Sequence, residues 1–469
     1  MGFTDTLKNL RNSTILKIGN LYRNKQSWGM AEQQRVKHVL DLLKKEGCPI
    51  CYQNNEDVKR MFTWFLLEYY GTQPWVELLN RSRGFCSMHT WEVVTQHMPE
   101  QIRWPLGLTY LYIINYDLEE IRTVVSFLER YKLSSGEISV VRNKKLEKLI
   151  MNTVLLEPCP ACIELKTSTT NALKNFLMYL LKPEIQKAYI NSEGLCLPHL
   201  EQALNLAEGE TLKELVNIHL PKLYLLRSQV PCGQERLFLL TGKRFFQEFT
   251  LLSSLEDKEI CSTLNRPALN LNIKHSCYVC RKVALTLQGL WTTIVYKPQN
   301  WANRISEFCS RHRGSILIHA YLNNLDIAKE FQTHLLTSKI EELETLLAAS
   351  EIKKDPKPPQ ICPACEVQNY ATLKVLKTVA DNVASSVNPR NYWKSLDLCM
   401  GHFRKLIPLA SPAAIIYIGR YQQEKLKELL IELKEYFRKE DYRYKDEPKG
   451  NEQTAWLRAI ELYCGLPYL

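Results

Sequence analysis

Cys159-Pro160-Ala161-Cys162 opens a helical pattern that closes on Gly194-Leu195-Cys196-Leu197-Pro198-His199. Two thiols three residues apart, then a thiol and an imidazole three apart, are four ligands for a thiophilic metal. The arrangement recurs three times: Cys48 and Cys51 with Cys86 and His89, Cys277 and Cys280 with Cys309 and His312, Cys362 and Cys365 with Cys399 and His402. Of fifteen cysteines only Cys232, Cys261 and Cys464 stand outside these sets. That placement suits metal ligation better than a disulfide framework.

A C-x-x-C turn can aim both sulfurs at one ion, and a helix that follows it stabilises thiolate charge at its N-terminus. In C-x-x-H the two ligands share one face of a helical turn. Between the pairs lie 34, 33, 28 and 33 residues, room for two helices folded back on each other. The expectation is that each metal staples one such hairpin to the start of the next helix. Three thiolates and one imidazole make a closed tetrahedral set, so four structural Zn²⁺ sites are expected, with an iron–sulfur cluster as the alternative.

The 469 residues call for several domains, and 45% hydrophobic with 24% charged residues is an ordinary globular composition. The first 20 residues lack an apolar core and carry Lys8, Arg11 and Lys17, so no secretory signal is expected. No uncharged apolar run reaches the length of a membrane span; Leu406 to Gly419 is short and broken by Pro408 and Pro412. A reducing cytoplasm, where thiols stay available for metal, is the expected location.

Residues 1–45 read as a basic helical arm, with nine Lys or Arg against Asp5, Glu32 and Asp41. Metal module one follows at 46–133, with Val58, Met61, Phe62, Phe65 and Tyr69 as its helical stripe and a closing helix from about Asp117. Module two, 134–255, repeats the plan through Leu165, Thr169, Ala172, Leu173, Phe176 and Leu180, with Pro183 starting its second helix. Residues 256–350 hold a linker and module three. Residues 351–469 hold module four, the helix Glu424 to Lys439 and an aromatic, charged tail. Pro231-Cys232-Gly233-Gln234-Glu235 is echoed by Pro448-Lys449-Gly450-Asn451-Glu452, pointing to a duplicated pair of modules. In the tail, Tyr442, Tyr444 and Trp456 are read as packing across the last module, or else as a recognition surface with Arg443.

No G-x-G-x-x-G, G-x-S-x-G or H-E-x-x-H occurs, and Leu237 stands where a P-loop ending at Gly242-Lys243 needs glycine. The closed ligand sets leave no open metal position, which weighs against an enzyme. The spacing is not that of a C₂H₂ DNA finger. His38, His97, His219, His275, His319 and His334 lie outside the sets and read as surface or helix residues.

The CPxC turns, the G-[LF]-C-x-x-H-L closure, complete at Gly194 to Leu200, and the run Phe437-Arg438-Lys439-Glu440-Asp441-Tyr442-Arg443-Tyr444 with Trp456-Leu457-Arg458-Ala459 resemble an uncharacterised bacterial family, a domain of unknown function. The resemblance is best in modules two and four; module three lacks the proline of CPxC and the glycine before Cys309. It implies a bacterial origin and no established activity. The expected molecule is an all-α protein of four Cys₃His modules that serves as a protein-interaction scaffold. A nucleic-acid binder using the basic arm, weak and sequence-independent, and a redox-sensing or iron–sulfur protein are the other classes.

Overall fold

The structure, a computed structural model, describes residues 32–96, 99–134, 148–230 (without 149 and 152), 277–349, 361–385 and 396–465 (without 445). Most of the basic arm, the segment 231–276 with Cys232 and Cys261, and the connector 351–360 lie outside the described residues. Every regular element among the described residues is helical. The all-α expectation holds.

In chain order the helices are α1 (Glu32–Leu43), α2 (Pro49–Trp64), α3 (Gln73–Ser82), α4 (Ser87–Gln96), α5 (Pro99–Ser134), α6 (Pro160–Tyr179), α7 (Pro183–Asn191) and α8 (Leu197–Leu206). They continue as α9 (Gly209–Ser228), α10 (Tyr278–Tyr296), α11 (Ser310–Asn323), α12 (Leu325–Ala348), α13 (Pro363–Ser385), α14 (Met400–Leu406), α15 (Pro412–Lys439) and α16 (Ala455–Cys464). Proline begins many of them, at the position where its missing N–H costs no hydrogen bond. Pro183 starts α7 as expected.

Two helices are longer than their periodicity indicates. The helix expected from Asp117 starts at Pro99 and carries Pro105 inside it. The helix expected from Glu424 starts at Pro412, where the Ser411 side chain accepts from the Ala414 N–H. Pro412, which interrupts the apolar run in the sequence, is here a first-turn residue, and Pro105 lies inside a helix, because tertiary packing overrides local propensity.

The described residues divide into two compact units, each assembled from three stretches of chain. One takes its residues from Met1–Arg60, Ile163–Ser253 and Trp291–Pro363. There α1 lies on α7, and α9 and α11 pack on α12. Leu212, Leu215 and Val216 of α9 and Phe331, Leu335, Leu336 and Leu343 of α12 are buried. The start of α2 meets α6 in antiparallel order: the Asn54 amide donates to Thr169 Oγ1 at 2.8 Å, and Ser168 donates to Asp57.

The other unit takes Met61–Cys162, Ser254–Leu290 and Ala364–Leu469. Its axis is the 36-residue α5, against which α15 and α16 pack. Ile113, Ile114, Ile121 and Val125 of α5 are buried with Ile415, Ile418, Leu426 and Leu433 of α15. Gly419 permits a close approach of the two helices, since a Cβ there would lie 2.6 Å from Val125 Cγ2.

These two glycines separate packing from propensity. Gly289 is exposed in α10 with nothing within 4 Å of its Cβ position. Gly289→Ala is expected to raise unfolding free energy by about 1 kcal/mol, and Gly419→Val to lower it by about 3 kcal/mol. Denaturant melts of the two variants against wild type check both signs.

Candidate metal centres

All eight ligand pairs begin at a helix N-terminus. Cys196, Cys309 and Cys399 are the N-cap residues of α8, α11 and α14. The carbonyls of Cys48, Cys86 and Cys277 accept the first helical bonds, from Tyr52, Thr90 and Arg281. Cys159 and Cys362 directly precede α6 and α13. The second ligand of each pair then falls three residues on, one helical turn ahead and on the same face.

The sixteen residues gather into four groups, but not in the order of the chain. The first centre is Cys48, Cys51, Cys196 and His199; the second is Cys86, His89, Cys159 and Cys162. The third is Cys277, Cys280, Cys399 and His402; the fourth is Cys309, His312, Cys362 and Cys365. The pairing expected within each module is therefore corrected. Each C-x-x-C meets the C-x-x-H of the neighbouring module, nested so that the outer pairs join and the inner pairs join.

Helix length gives the physical reason. From Pro49 to Tyr69 the chain is helical through α2 and a π-turn, a rise of about 30 Å, while α3 returns only about 15 Å. In the second module α6 rises about 30 Å and the nine-residue α7 returns about 14 Å. In the third, α10 is followed only by two short 3₁₀ turns, Pro298–Asn300 and Ala302–Glu307. A hairpin of unequal arms cannot bring its C-x-x-H back to its own C-x-x-C.

Within each centre the ligand atoms all lie within 4.8 Å of one another. Sulfur–sulfur separations are 3.6 Å (Cys51–Cys196), 3.7 Å (Cys86–Cys162) and 3.9 Å (Cys280–Cys399). Sulfur to histidine Nδ1 separations run from 3.1 Å (Cys196–His199) to 3.6 Å (Cys159–His89). A tetrahedron with metal–sulfur bonds of about 2.3 Å and metal–nitrogen bonds of about 2.0–2.1 Å has edges of about 3.8 and 3.6 Å. The donor sets fit one ion each. In all four histidines it is Nδ1 that faces the sulfurs.

The electrostatics point the same way. Burial opposes ionisation of Cys48, but hydrogen bonds from Cys196 and Cys51 and the charge of His199 hold its thiol well below the usual range. Hydrogen bonds from Cys159 and Cys162 lower Cys86 likewise. Burial and the neighbouring Cys48 then push Cys196 up, and in the third centre hydrogen bonding with Cys277 and Cys280 raises Cys399. Without a cation one thiolate forms and its neighbours resist, because like charges in one buried site disfavour each other. A divalent ion supplies the charge that lets all three ionise. His312 is lowered to about 4 by burial and the charge of Arg311, whereas in the first centre burial is outweighed by the charge of Cys48, which raises His199 to about 10, so a metal there would displace a proton.

Beyond the ligands, the Asn54 amide lies 3.3 Å from His199 Nε2. His219, read as a surface or helix residue, is a helix residue and is buried in α9. Its Nδ1 pairs with the Tyr189 hydroxyl at 2.7 Å. It lines a cleft of about 1000 Å³ together with Gly47, Leu195 and Leu197, which flank ligands of the first centre. Cys464 stays outside the four groups, 3.4 Å from the Tyr110 hydroxyl, and burial raises its thiol to about 11. His38 is exposed, and His319 and His334 are partly buried; His97 and His275 lie outside the described residues. In the tail Trp456 is buried, whereas Tyr442 is 80% exposed and Arg443 pairs with Asp441. Arg313 and Arg404, one and two residues beyond a ligand histidine, were not singled out by spacing or motif. Both are buried ion-pair partners.

Residues 44–226 match the model of a family described as "Family of unknown function (DUF6062)". The match covers the first two C-x-x-C…C-x-x-H segments and stops short of the C-terminal run that carried part of the resemblance. No curated protein and no solved structure matches the chain.

Crossed pairing has a direct chemical test. At saturating metal, Cys51→Ser with Cys196→Ser should remove one ion per chain, and Cys51→Ser with Cys86→Ser should remove two. Pairing within modules gives the reverse, and elemental analysis of the two double variants decides. His219 yields a second expectation. Burial and Lys222 lower it from 6.5 to about 3, so the folded state refuses a proton that the unfolded chain accepts. Its contribution is complete above pH 6.5 and falls by up to about 1.4 kcal/mol per pH unit between 6.5 and 3. The difference in unfolding free energy between wild type and His219→Gln, followed over that window, should shrink as pH falls.

Proposed function

We propose that each centre holds one structural zinc ion and that the protein is a zinc-stapled helical scaffold for binding another protein. The observation that carries this is the donor geometry: three sulfurs and one nitrogen at the edge lengths of a single tetrahedral ion. A closed Cys₃His set has no position for water or substrate, so the metal supplies folding energy and no chemistry. A polynuclear cluster spreads its thiolates over different irons and would need a wider ligand cage.

In this reading Cys48, Cys51, Cys196 and His199 clamp α2 to α8, and Cys86, His89, Cys159 and Cys162 clamp α4 to α6. Cys277, Cys280, Cys399 and His402 clamp α10 to α14, and Cys309, His312, Cys362 and Cys365 clamp α11 to α13. A reducing compartment such as the cytoplasm would keep the twelve thiols available.

A protein partner is favoured over nucleic acid because much of the aromatic content is spent on packing and no groove-reading motif accompanies the rings left exposed, such as Tyr296, Tyr370 and Tyr442. Phe62, Phe65, Trp75 and Phe85 form one mutual cluster, and Phe176 packs on Tyr189. Two of the basic residues in the described part of the arm are engaged, Arg35 with Tyr179 and Lys44 with Asp41. Among the described residues no helix is long and apolar enough to cross a membrane.

Elemental analysis of protein purified without air should give close to four zinc ions per chain and little iron. Stripping the metal should unfold the helices, since structural zinc contributes about 10–16 kcal/mol per site in small zinc domains. A brown protein with a broad visible absorption band overturns the zinc reading. Tight binding to one defined nucleic acid, persisting after removal of residues 1–45, overturns the partner class.

A further inference from the structure

Asp117 is buried in the middle of α5, and three segments converge on its carboxylate. Arg83 donates through Nε to Oδ1 at 2.5 Å, and Arg404 through Nη2 to Oδ2 at 2.5 Å. The Tyr463 hydroxyl donates to Oδ2 at 2.7 Å. Both arginines are buried, and Arg83 also reaches Glu120.

Each of these groups is tied to a metal centre. Arg83 lies three residues before Cys86 of the second centre, at the left-handed end of α3 with φ 58°, followed by Gly84 at φ 89°. An arginine holds that backbone shape at a cost, and its side-chain bonds fix the turn that delivers Cys86 and His89. Arg404 lies two residues after His402 of the third centre, on the short helix α14. Tyr463 leads to Gly465, whose Cβ position would be 2.9 Å from Cys280 Sγ and 3.4 Å from Cys399 Sγ. One carboxylate therefore holds the ligand turn of the second centre and two supports of the third.

The other unit repeats the device with different residues. Glu201 lies two residues after His199 of the first centre. It takes both Arg313 Nη1 and Nη2 on Oε1 at 3.0 Å, and Nη2 also reaches Oε2 at 3.2 Å. Arg313 directly follows His312 of the fourth centre and is buried; Lys339 Nζ stands 3.7 Å from the same carboxylate. Two unrelated local sequences arrive at a similar arrangement: Asp117 links the turn before α4 to α14, and Glu201 links α8, on which it sits, to α11.

We propose that Asp117 and Glu201 are positioning residues that make the centres load and release metal in pairs, the second with the third and the first with the fourth. The inference rests on the reading that the centres bind metal. When one centre empties, its C-x-x-H turn frays, the arginine it positions leaves the carboxylate, and the remaining buried charges lose their balance. The strain falls on the partner centre, which then gives up its ion more easily. Among the described residues, the ion pairs of Asp117 reach the second and third centres and those of Glu201 the first and fourth.

Native mass spectrometry of the full chain after timed exposure to EDTA counts the ions still bound. Cys86→Ser, which removes a ligand and no ion-pairing side chain, should begin with three ions and shed one at least about tenfold faster than wild type. It should then pause at two, which leave at the wild-type rate. Cys196→Ser should behave alike through the opposite pair. Asp117→Asn, with every ligand intact, should lose two of its four ions fast and keep two, and Asp117→Glu should restore part of the wild-type rate. Loss of the last three ions of Cys86→Ser at the wild-type rate, or of all three at one accelerated rate, overturns pairwise coupling. Wild type carrying no metal before any chelator is added removes the premise itself, so the two failures are distinguishable.

Discussion

Two helix N-termini converge on each set of three thiols and one imidazole, and the rest of the molecule follows from satisfying that convergence. The exposed N–H groups and aligned peptide dipoles at a helix start favour negative charge, and a C-x-x-C or C-x-x-H beginning at the N-cap places its sulfur there. Hydrogen bonds from neighbouring thiols and the facing histidine hold one thiolate in a centre, as the depressed Cys48, Cys86 and Cys277 show. They do not hold three. Cys196 and Cys399 are pushed up beside the neighbouring thiols, a repulsion that a divalent ion would offset.

That constraint determines how the chain is laid out. Because each centre joins a C-x-x-C from one hairpin to a C-x-x-H from the next, neither hairpin is a complete folding unit. The two compact units each draw on three stretches of chain, and the helices α2, α6, α10 and α13 pass from one unit's residues to the other's. Contiguous modules of the kind read from the spacing do not coincide with these units. A nested pairing also raises the sequence separation of the contacts that must form, which slows folding relative to a string of local hairpins.

The buried ion pairs gain their meaning from this layout. A charge cluster such as Arg83, Asp117 and Arg404 is weak as a source of net stability, because desolvation offsets most of the attraction. It is strong as a source of register, since each guanidinium accepts few geometries and a missing partner is costly. Asp117 holds the turn before α4 and the helix α14, and Glu201 ties α8 to α11, so each acid links groups beside two centres.

The sequence by itself determined what is local. The sixteen candidate ligands, their arrival in pairs three residues apart, the helix beginning at each pair and the all-α class all depend on residues within a turn of one another. Stripes such as Val58, Met61, Phe62 and Phe65 were legible for the same reason and are buried as the period requires. Only tertiary structure decided which pairs meet. Spacers of similar length disguise a long helix out and a short helix back, and side-chain periodicity does not report where a helix stops relative to its partner's start. The same limit hid the full extent of α5 and α15, which shows only once the surfaces that bury those helices are in place. It also hid the role of Asp117, an acid like any other in the chain until Arg83 and Arg404, 34 and 287 residues away, are folded onto it.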